Sequence, residues 1–157
     1  MPKTKLQDFV FTLIMVFFMV YAMVCFNIAI DKGGMTNEIF KLAFAEMVIM
    51  YPIGVIMEFF VVGRLAQKLA FRFVTPGQDK MIFIILAISS MTVCLMCPIM
   101  SFFATLLFKH PGVQIAASWL EVTVRNFPMA LCFQIFFCGP FVRFIFTKGL
   151  ALIKKEK

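Results

Sequence analysis

Long apolar stretches without a formal charge alternate with short, positively charged segments along this 157-residue chain. One stretch lies between Asp8 and Asp31, and another lies between Lys80 and Lys109. Each exceeds the length of about 20 residues that an α-helix needs to cross the hydrocarbon core of a bilayer. The pattern therefore predicts membrane-spanning helices near residues 9–30 and 81–108.

Two further segments are apolar enough to be spans. A third uncharged stretch lies between Arg125 and Arg143, and it reaches span length if it begins near Trp119, whose ring suits the membrane interface. The segment 43–66 is less hydrophobic because it contains two glutamates and an arginine. With spans near 43–66 and 119–142, the sequence predicts an all-α membrane protein of four transmembrane helices. Before the second span, apolar residues at helical spacing over 35–43 predict a short interfacial helix.

Composition and charge support this class and indicate an orientation. Hydrophobic residues make up 62% of the chain and charged residues 15%, which disfavours soluble and nucleic-acid-binding proteins. The two chain ends and the middle connection carry most of the basic residues: Lys3, Lys5, Arg64, Lys68, Arg72, Lys80, Arg143, Lys148, Lys154, Lys155 and Lys157. The other two connections carry Lys32, Lys41 and Lys109. The positive-inside rule therefore predicts cytoplasmic N and C termini in the inner membrane of a cell, with the lipid bilayer as partner.

The two halves of the chain share unusual residues at one spacing. An offset of 76 residues aligns Tyr51-Pro52 with Phe127-Pro128, Glu58 with Gln134, and Gly63 with Gly139. We interpret residues 1–75 and 76–157 as two tandem hairpins of two helices each. Since each unit contains an even number of spans, both would insert with the same orientation, as parallel repeats.

The second half also carries a family resemblance. Its Phe127-Pro128-Met129-Ala130, followed by Gly139-Pro140-Phe141-Val142-Arg143, resembles the signature of a bacterial family of small integral-membrane proteins known only as a domain of unknown function. The repeating unit of that family is a two-helix hairpin. The resemblance implies two copies over nearly the whole chain, with Arg64 in the first copy where the second has Pro140. It implies a topology and no reaction.

Glu58 is the most informative candidate for a functional site. An ionisable side chain within a span costs several kcal/mol unless it is paired, protonated or hydrated. One hypothesis is a proton-titrating or cation-coordinating carboxylate that lines a polar cavity. The alternative is a structural contact between helices, with Gln134 or Ser89-Ser90 as the partner.

A second candidate site lies at the outer end of the fourth predicted span. Glu121 and Arg125 are spaced i and i+4, which puts an acid and a base on one helical face, and Glu46 lies at a similar depth in the second span. Arg125 could bind an anion or a carboxylate bidentately. Alternatively, the residues form only a structural ion pair.

Pro52 and Pro128 mark matching places in the two halves. Each proline removes a backbone donor, so the pattern predicts flexible points at one depth, as in the interrupted helices of transporters. Proline is also common in membrane helices for packing reasons alone. Tyr51 and Asn126, next to the prolines, could donate hydrogen bonds to a ligand or to the backbone.

Other chemistry has little support. Cys94 and Cys97 form a C-x-x-C sequence within the third predicted span, where a thiolate is poorly stabilised. His110 is the one histidine, and no nucleotide-binding motif occurs, so we expect no metal site and no cofactor.

The function expected from the sequence is binding or passage of a small solute or ion through a polar interior between the second and fourth spans, without enzymatic activity. The alternatives are a non-catalytic membrane scaffold or accessory subunit and, with less support, a quinone-linked thiol oxidoreductase. Because four spans are few for a transporter, we expect a homodimer or a partner membrane subunit.

Overall fold

The structure, a computed structural model, describes residues 5–110 and 112–155. Four helices are long and apolar enough to cross a membrane, and we call them spans 1 to 4: Lys5–Asp31, Asn37–Ala70, Met81–Lys109 and Gly112–Gly149. Span 1 is helix α1. The described part of the chain contains no β-strand. The predicted all-α architecture with four membrane-spanning helices is confirmed.

Spans 2, 3 and 4 each contain a short π-helical stretch. Span 2 consists of α2 (Asn37–Met57), a π turn (Glu58–Val62) and α3 (Gly63–Ala70). Span 3 consists of α4 (Met81–Ala104) and a π turn (Thr105–Lys109). Span 4 begins with a 3₁₀ turn (Gly112–Gln114), followed by α5 (Ile115–Cys132), a π turn (Phe133–Cys138) and α6, which extends to Lys155.

Local backbone geometry closes the connections. Span 1 is terminated by Gly33, which lies two residues after Asp31 and has φ of 77°. The Gly33 amide donates to the Ile30 carbonyl at 3.1 Å and the Gly34 amide to the Ala29 carbonyl at 2.9 Å, which are the two hydrogen bonds of a Schellman cap. His110 ends span 3 in the left-handed region, with φ of 40°.

The four spans form a bundle in which each span packs against two others. Span 1 contacts spans 2 and 4, and span 3 contacts the same two spans. Valine side chains of span 1, including Val16 and Val20, pack against Met47 and Met50 of span 2. The two spans approach closely at Gly54, where an added Cβ would lie 3.1 Å from Val16 and 3.2 Å from Val20. Small residues allow this kind of close helix contact in membranes.

Large apolar side chains cover the outer surface of the bundle. Phe60 and Phe136 are 72% and 70% exposed, and Val48 and Val124 are also largely exposed. A water-soluble protein rarely leaves such extensive apolar surface uncovered, whereas lipid tails accept it without cost. The exposed surface therefore agrees with the four apolar helices in identifying a multi-pass membrane protein.

Two predicted details were wrong. The spans are longer than expected, because helical structure continues past the apolar core on both sides: span 2 begins at Asn37 rather than near 43 and ends at Ala70 rather than near 66. The short helix predicted over 35–43 at the entry to the second span is the beginning of α2 rather than an element of its own. Asn37 opens α2, which runs without interruption into the span, with Thr36 in an extended conformation at its start.

An interior cavity as the candidate functional site

A cavity of about 1170 Å³ lies between the four spans, and all four spans line it. Its lining extends from Lys5, at one end of span 1, to Asp31 at the other end. At 1.5 Å per residue these positions are separated by about 40 Å. We call the end near Lys5, where span 1 begins, the termini mouth, and the end near Asp31, where span 1 ends, the hairpin mouth. The expected interior between spans 2 and 4 therefore also includes spans 1 and 3.

One face of span 1 forms a wall of this cavity. The residues of that face recur every three or four positions, the repeat of an α-helix: Asp8, Thr12, Met15, Met19, Met23, Asn27 and Asp31. Polar side chains lie at both ends of the face, and three methionines lie in the middle. Span 1 looks uniformly apolar by hydropathy, so its contribution to the cavity was not predicted.

Glu58 lines the cavity on its termini side. It is partly buried, and within the described ranges its side chain makes no hydrogen bond or ion pair. The expected alternative partners, Gln134 and Ser89, line the same cavity but do not contact it through a hydrogen bond. Glu58 opens the π turn of span 2, and its carbonyl accepts a hydrogen bond from the Gly63 amide.

Gly63 is required by this backbone geometry. A Cβ at Gly63 would lie 2.8 Å from the Glu58 carbonyl oxygen, closer than real Cβ atoms approach. Span 4 repeats the arrangement, because a Cβ at Gly139 would lie 2.7 Å from the Gln134 carbonyl oxygen. The Gly139 amide donates to that carbonyl. Glu58 and Gln134, which the 76-residue offset aligns, therefore both lie in similar π turns. Such turns are frequent at functional sites.

Two buried amide side chains of span 4 line the cavity. Asn126 and Gln134 are 3% and 4% exposed. The Gln134 amide nitrogen donates to the Met15 sulfur at 3.5 Å, but the Gln134 Oε1 and Asn126 Oδ1 atoms have no hydrogen-bond partner among the described residues. A buried polar atom without a partner costs about 1–3 kcal/mol. A ligand or water in the cavity could offset this cost.

Arg125 contacts a different acid from the one predicted. Its Nη2 atom lies 4.0 Å from the Asp31 carboxylate, which also forms an ion pair with Lys109 at 3.1 Å. Glu121 is exposed, and neither Glu121 nor Arg125 lines the cavity. Glu46 does line it, near the hairpin mouth. The i, i+4 spacing of Glu121 and Arg125 did not predict the ion pair correctly, because Asp31 at the end of span 1 lies closer to Arg125.

Tyr51 and the two prolines lie outside the cavity. The Tyr51 hydroxyl donates to the Leu13 carbonyl at 3.1 Å, so it ties span 2 to span 1. Pro52 and Pro128 are exposed on the outer surface, and α2 and α5 continue as α-helix through them. The departures from α-helical geometry begin later in each span, at Glu58 and Phe133.

The cysteines provide no pair for disulfide chemistry within the described residues. All five are free, with Cys94 exposed and Cys97 buried at the cavity wall. In the described ranges, no three His, Cys, Asp or Glu side chains are grouped so that they could hold a metal ion.

Comparisons with known proteins identify the family. A sequence profile described as "Domain of unknown function (DUF2798)" matches residues 4–74 and again residues 81–149. The chain belongs to this family. The chain is also similar to the "Uncharacterized protein YybC" of Bacillus subtilis (strain 168), with 32% identity over 152 residues, covering 94% of each chain. No solved structure matches this chain.

The two DUF2798 segments correspond to the two hairpins. The first contains spans 1 and 2 and the second contains spans 3 and 4, so each segment includes one of the similar π turns. The resemblance stated from the sequence is confirmed at the level of the family. Neither the family description nor the relative's name includes an activity.

Proposed function

We propose that this membrane protein binds a small solute or ion in the cavity between its four spans and lets it pass between the two mouths. The observation that carries the proposal is the extent of the cavity. Its lining reaches from Lys5 and Asp8 at the termini mouth to Asp31 and Lys109 at the hairpin mouth. A space of this size exceeds packing defects, which are normally few and small in protein interiors.

The state of the polar side chains supports a ligand-binding interior over a scaffold. In a scaffold, polar groups inside the bundle would hold the helices together through hydrogen bonds to one another. Glu58 and the oxygens of Asn126 and Gln134 have no such partners within the described part of the chain. The thiol oxidoreductase alternative has no support, because Cys94 faces outward while Cys97 faces the cavity.

The proposal includes an internal duplication of the chain, with residues 1–75 and 76–157 as the two units. It is supported by the two matches of the family profile and by the paired π turns before Gly63 and Gly139. Span packing is also similar. Gly54 contacts span 1, and Ala130, at the same position in the second unit, packs against Val93 and Cys97 of span 3.

The proposed orientation places both termini in the cytoplasm and the protein in the inner membrane. It rests on the excess of Lys and Arg at the chain ends and in the connection between spans 2 and 3. We further propose that the protein acts as a homodimer or with another membrane subunit, since the described bundle provides a single four-span unit.

Cysteine labelling can test whether water reaches the cavity. Ser89 lines the cavity, whereas its neighbour Ser90 does not. In a chain whose five native cysteines are replaced by serine, we expect a membrane-impermeant methanethiosulfonate to modify Ser89→Cys rapidly. Ser90→Cys is the matched control, because the substitution has the same size and lies at the same depth, and it should react slowly.

Equal and slow modification of both cysteines would contradict the proposal, because it would mean that the bundle interior is dry. A Glu58→Cys variant extends the test toward the termini mouth. Its modification should be fast from the side that carries the termini. If Glu58→Cys is not modified, the water-filled region is restricted to the half of the cavity near the hairpin mouth.

A further inference from the structure

The termini half of the cavity combines aromatic rings with carboxylates. Four phenylalanines line this half, one from span 1, two from span 2 and its following loop, and one from α6: Phe11, Phe59, Phe71 and Phe146. We call them the aromatic set. The Phe11 and Phe146 rings meet edge to face with centroids 5.4 Å apart. Asp8 and Glu58 line the same half.

Aromatic faces next to a carboxylate provide favourable electrostatics for a positive charge. The quadrupole of a ring attracts a cation above its face, and quaternary ammonium groups are recognised this way. An unpaired Glu58 carboxylate in apolar surroundings costs free energy, and a bound positive charge would offset this cost. Lys5, Arg64 and Arg143 line the same half, yet among the described residues none of them forms an ion pair with Glu58.

The next level of the cavity offers hydrogen-bond acceptors. The unpartnered oxygens of Asn126 and Gln134 belong to side chains that are more than nine-tenths buried and that line the cavity. The two residues lie eight positions apart on one helix, about 12 Å along its axis. Acceptors without donors match a ligand that carries N–H groups or positive charge.

The middle of the cavity is apolar and deformable. Methionines from three spans line it: Met15, Met19, Met23, Met50, Met96 and Met100. Methionine side chains are flexible and polarisable, and they adapt to ligands of varied shape. The volume of about 1170 Å³ is large enough for an organic molecule, since pockets for drug-sized ligands measure roughly 300–1,000 Å³. An inorganic ion would instead need several oxygen ligands converging at short distance.

We propose that the cavity binds amphipathic organic cations, with the positive group between Glu58 and the aromatic set and the apolar body against the methionines. This inference rests on the proposed function, because the ligand must reach the cavity from a mouth. It names the ligand by charge and shape: a quaternary ammonium, phosphonium or protonated amine with an apolar body.

Tetraphenylphosphonium and tetraphenylborate form a matched pair of probes, because they have the same shape and opposite charge. With the purified full-length protein in neutral detergent, isothermal titration calorimetry should give saturable binding of tetraphenylphosphonium and none of tetraphenylborate. Glu58→Gln should weaken phosphonium binding at least about tenfold, as expected for loss of a desolvated charge pair. Glu58→Asp should retain most of the affinity. Glu38→Gln, an exposed acid outside the cavity, should bind like the unchanged protein.

Three outcomes would overturn the inference. These are equal or tighter binding of tetraphenylborate, unchanged phosphonium affinity in Glu58→Gln, and no phosphonium binding at all. The Ser89→Cys labelling separates this failure from failure of the proposed function. If Ser89→Cys is labelled and phosphonium does not bind, the cavity is open but selects another ligand. If neither occurs, both proposals fail.

Discussion

Among the acidic residues of the described chain, Glu58 lies farthest from the ends of its span, and its side chain has no hydrogen bond or ion pair there. Asp31 is paired with Lys109, and Glu38 is exposed. An ionised carboxylate in apolar surroundings costs free energy, which the folded protein must offset elsewhere. Residues kept for binding often reduce stability in this way, and this trade-off can be measured.

Glu58→Gln should therefore stabilise the protein while it impairs cation binding. The substitution preserves the size of the side chain and introduces the amide that span 4 carries at Gln134. In alkaline buffer, where the carboxylate is ionised, we expect a gain of about 1–3 kcal/mol in unfolding free energy. Thermal denaturation in detergent would show it as a raised midpoint. Glu38→Gln should change stability by less than about 0.5 kcal/mol, and a lowered midpoint for Glu58→Gln would show that the carboxylate makes stabilising contacts.

Sequence reasoning identified some cavity residues and missed others for a physical reason. Glu58 was recognised because a charge within a span is costly, and it does line the cavity. Asp8 and Asp31 were treated as the boundaries of span 1, although they line the two mouths. A charged residue at the end of an apolar stretch is common, so the sequence alone does not show whether its side chain lines an interior cavity. The positions of the neighbouring spans are needed to show this.

The π turns of spans 2 and 4 place Glu58 and Gln134 at the cavity wall. A hydrogen bond from residue i+5 to residue i widens the helix locally and changes which side chains face inward. In both turns the donor is a glycine, and a Cβ at that glycine would clash with the accepting carbonyl oxygen. The glycine therefore permits the π turn, and the π turn orients the polar side chain five residues earlier.

Gly63→Ala and Gly139→Ala should each destabilise the protein, although alanine normally favours a helix by about 1 kcal/mol over glycine. A Cβ at either position would clash with backbone rather than with a movable side chain. We expect a loss of about 1–3 kcal/mol in unfolding free energy, typical of overpacked sites. Gly149→Ala is the matched control in α6, since a Cβ there meets nothing within 4 Å. Equal midpoints for all three variants would show that the π turns can relax into α-helix.

Hydropathy predicted the number, order and type of the helices because the cost of burying charge in lipid controls where spans begin and end. It could not predict the π turns, since their stability depends on one hydrogen bond and one missing Cβ. The prolines suggested flexible points at Pro52 and Pro128, yet the α-helix continues through both. In each span the proline lies a few residues before the π turn, so it does not mark the residue at which the backbone changes.

The two mouths of the cavity differ in charge. Three basic residues, Lys5, Arg64 and Arg143, line the termini mouth together with Asp8, whereas two acidic residues, Asp31 and Glu46, line the hairpin mouth together with Lys109. If the termini are cytoplasmic, the mouth with the acidic pair faces the outside of the cell. Charges of one sign at a mouth raise the local concentration of oppositely charged solutes. The orientation of the chain therefore determines from which side an organic cation first meets favourable charge.

Reporter fusions can test this orientation directly. Green fluorescent protein fused after Lys157 should fluoresce in a bacterial inner membrane, because it folds in the cytoplasm, and alkaline phosphatase fused at the same place should be inactive. Phosphatase fused after His110, in the connection between spans 3 and 4, should be active because that connection would face the periplasm. The opposite pattern would contradict the positive-inside assignment. A variant with glutamine in place of Arg64, Lys68, Arg72 and Lys80 should insert in both orientations and give the reporter signals of both. The reason is that the charges near the ends of spans set the preferred orientation of insertion.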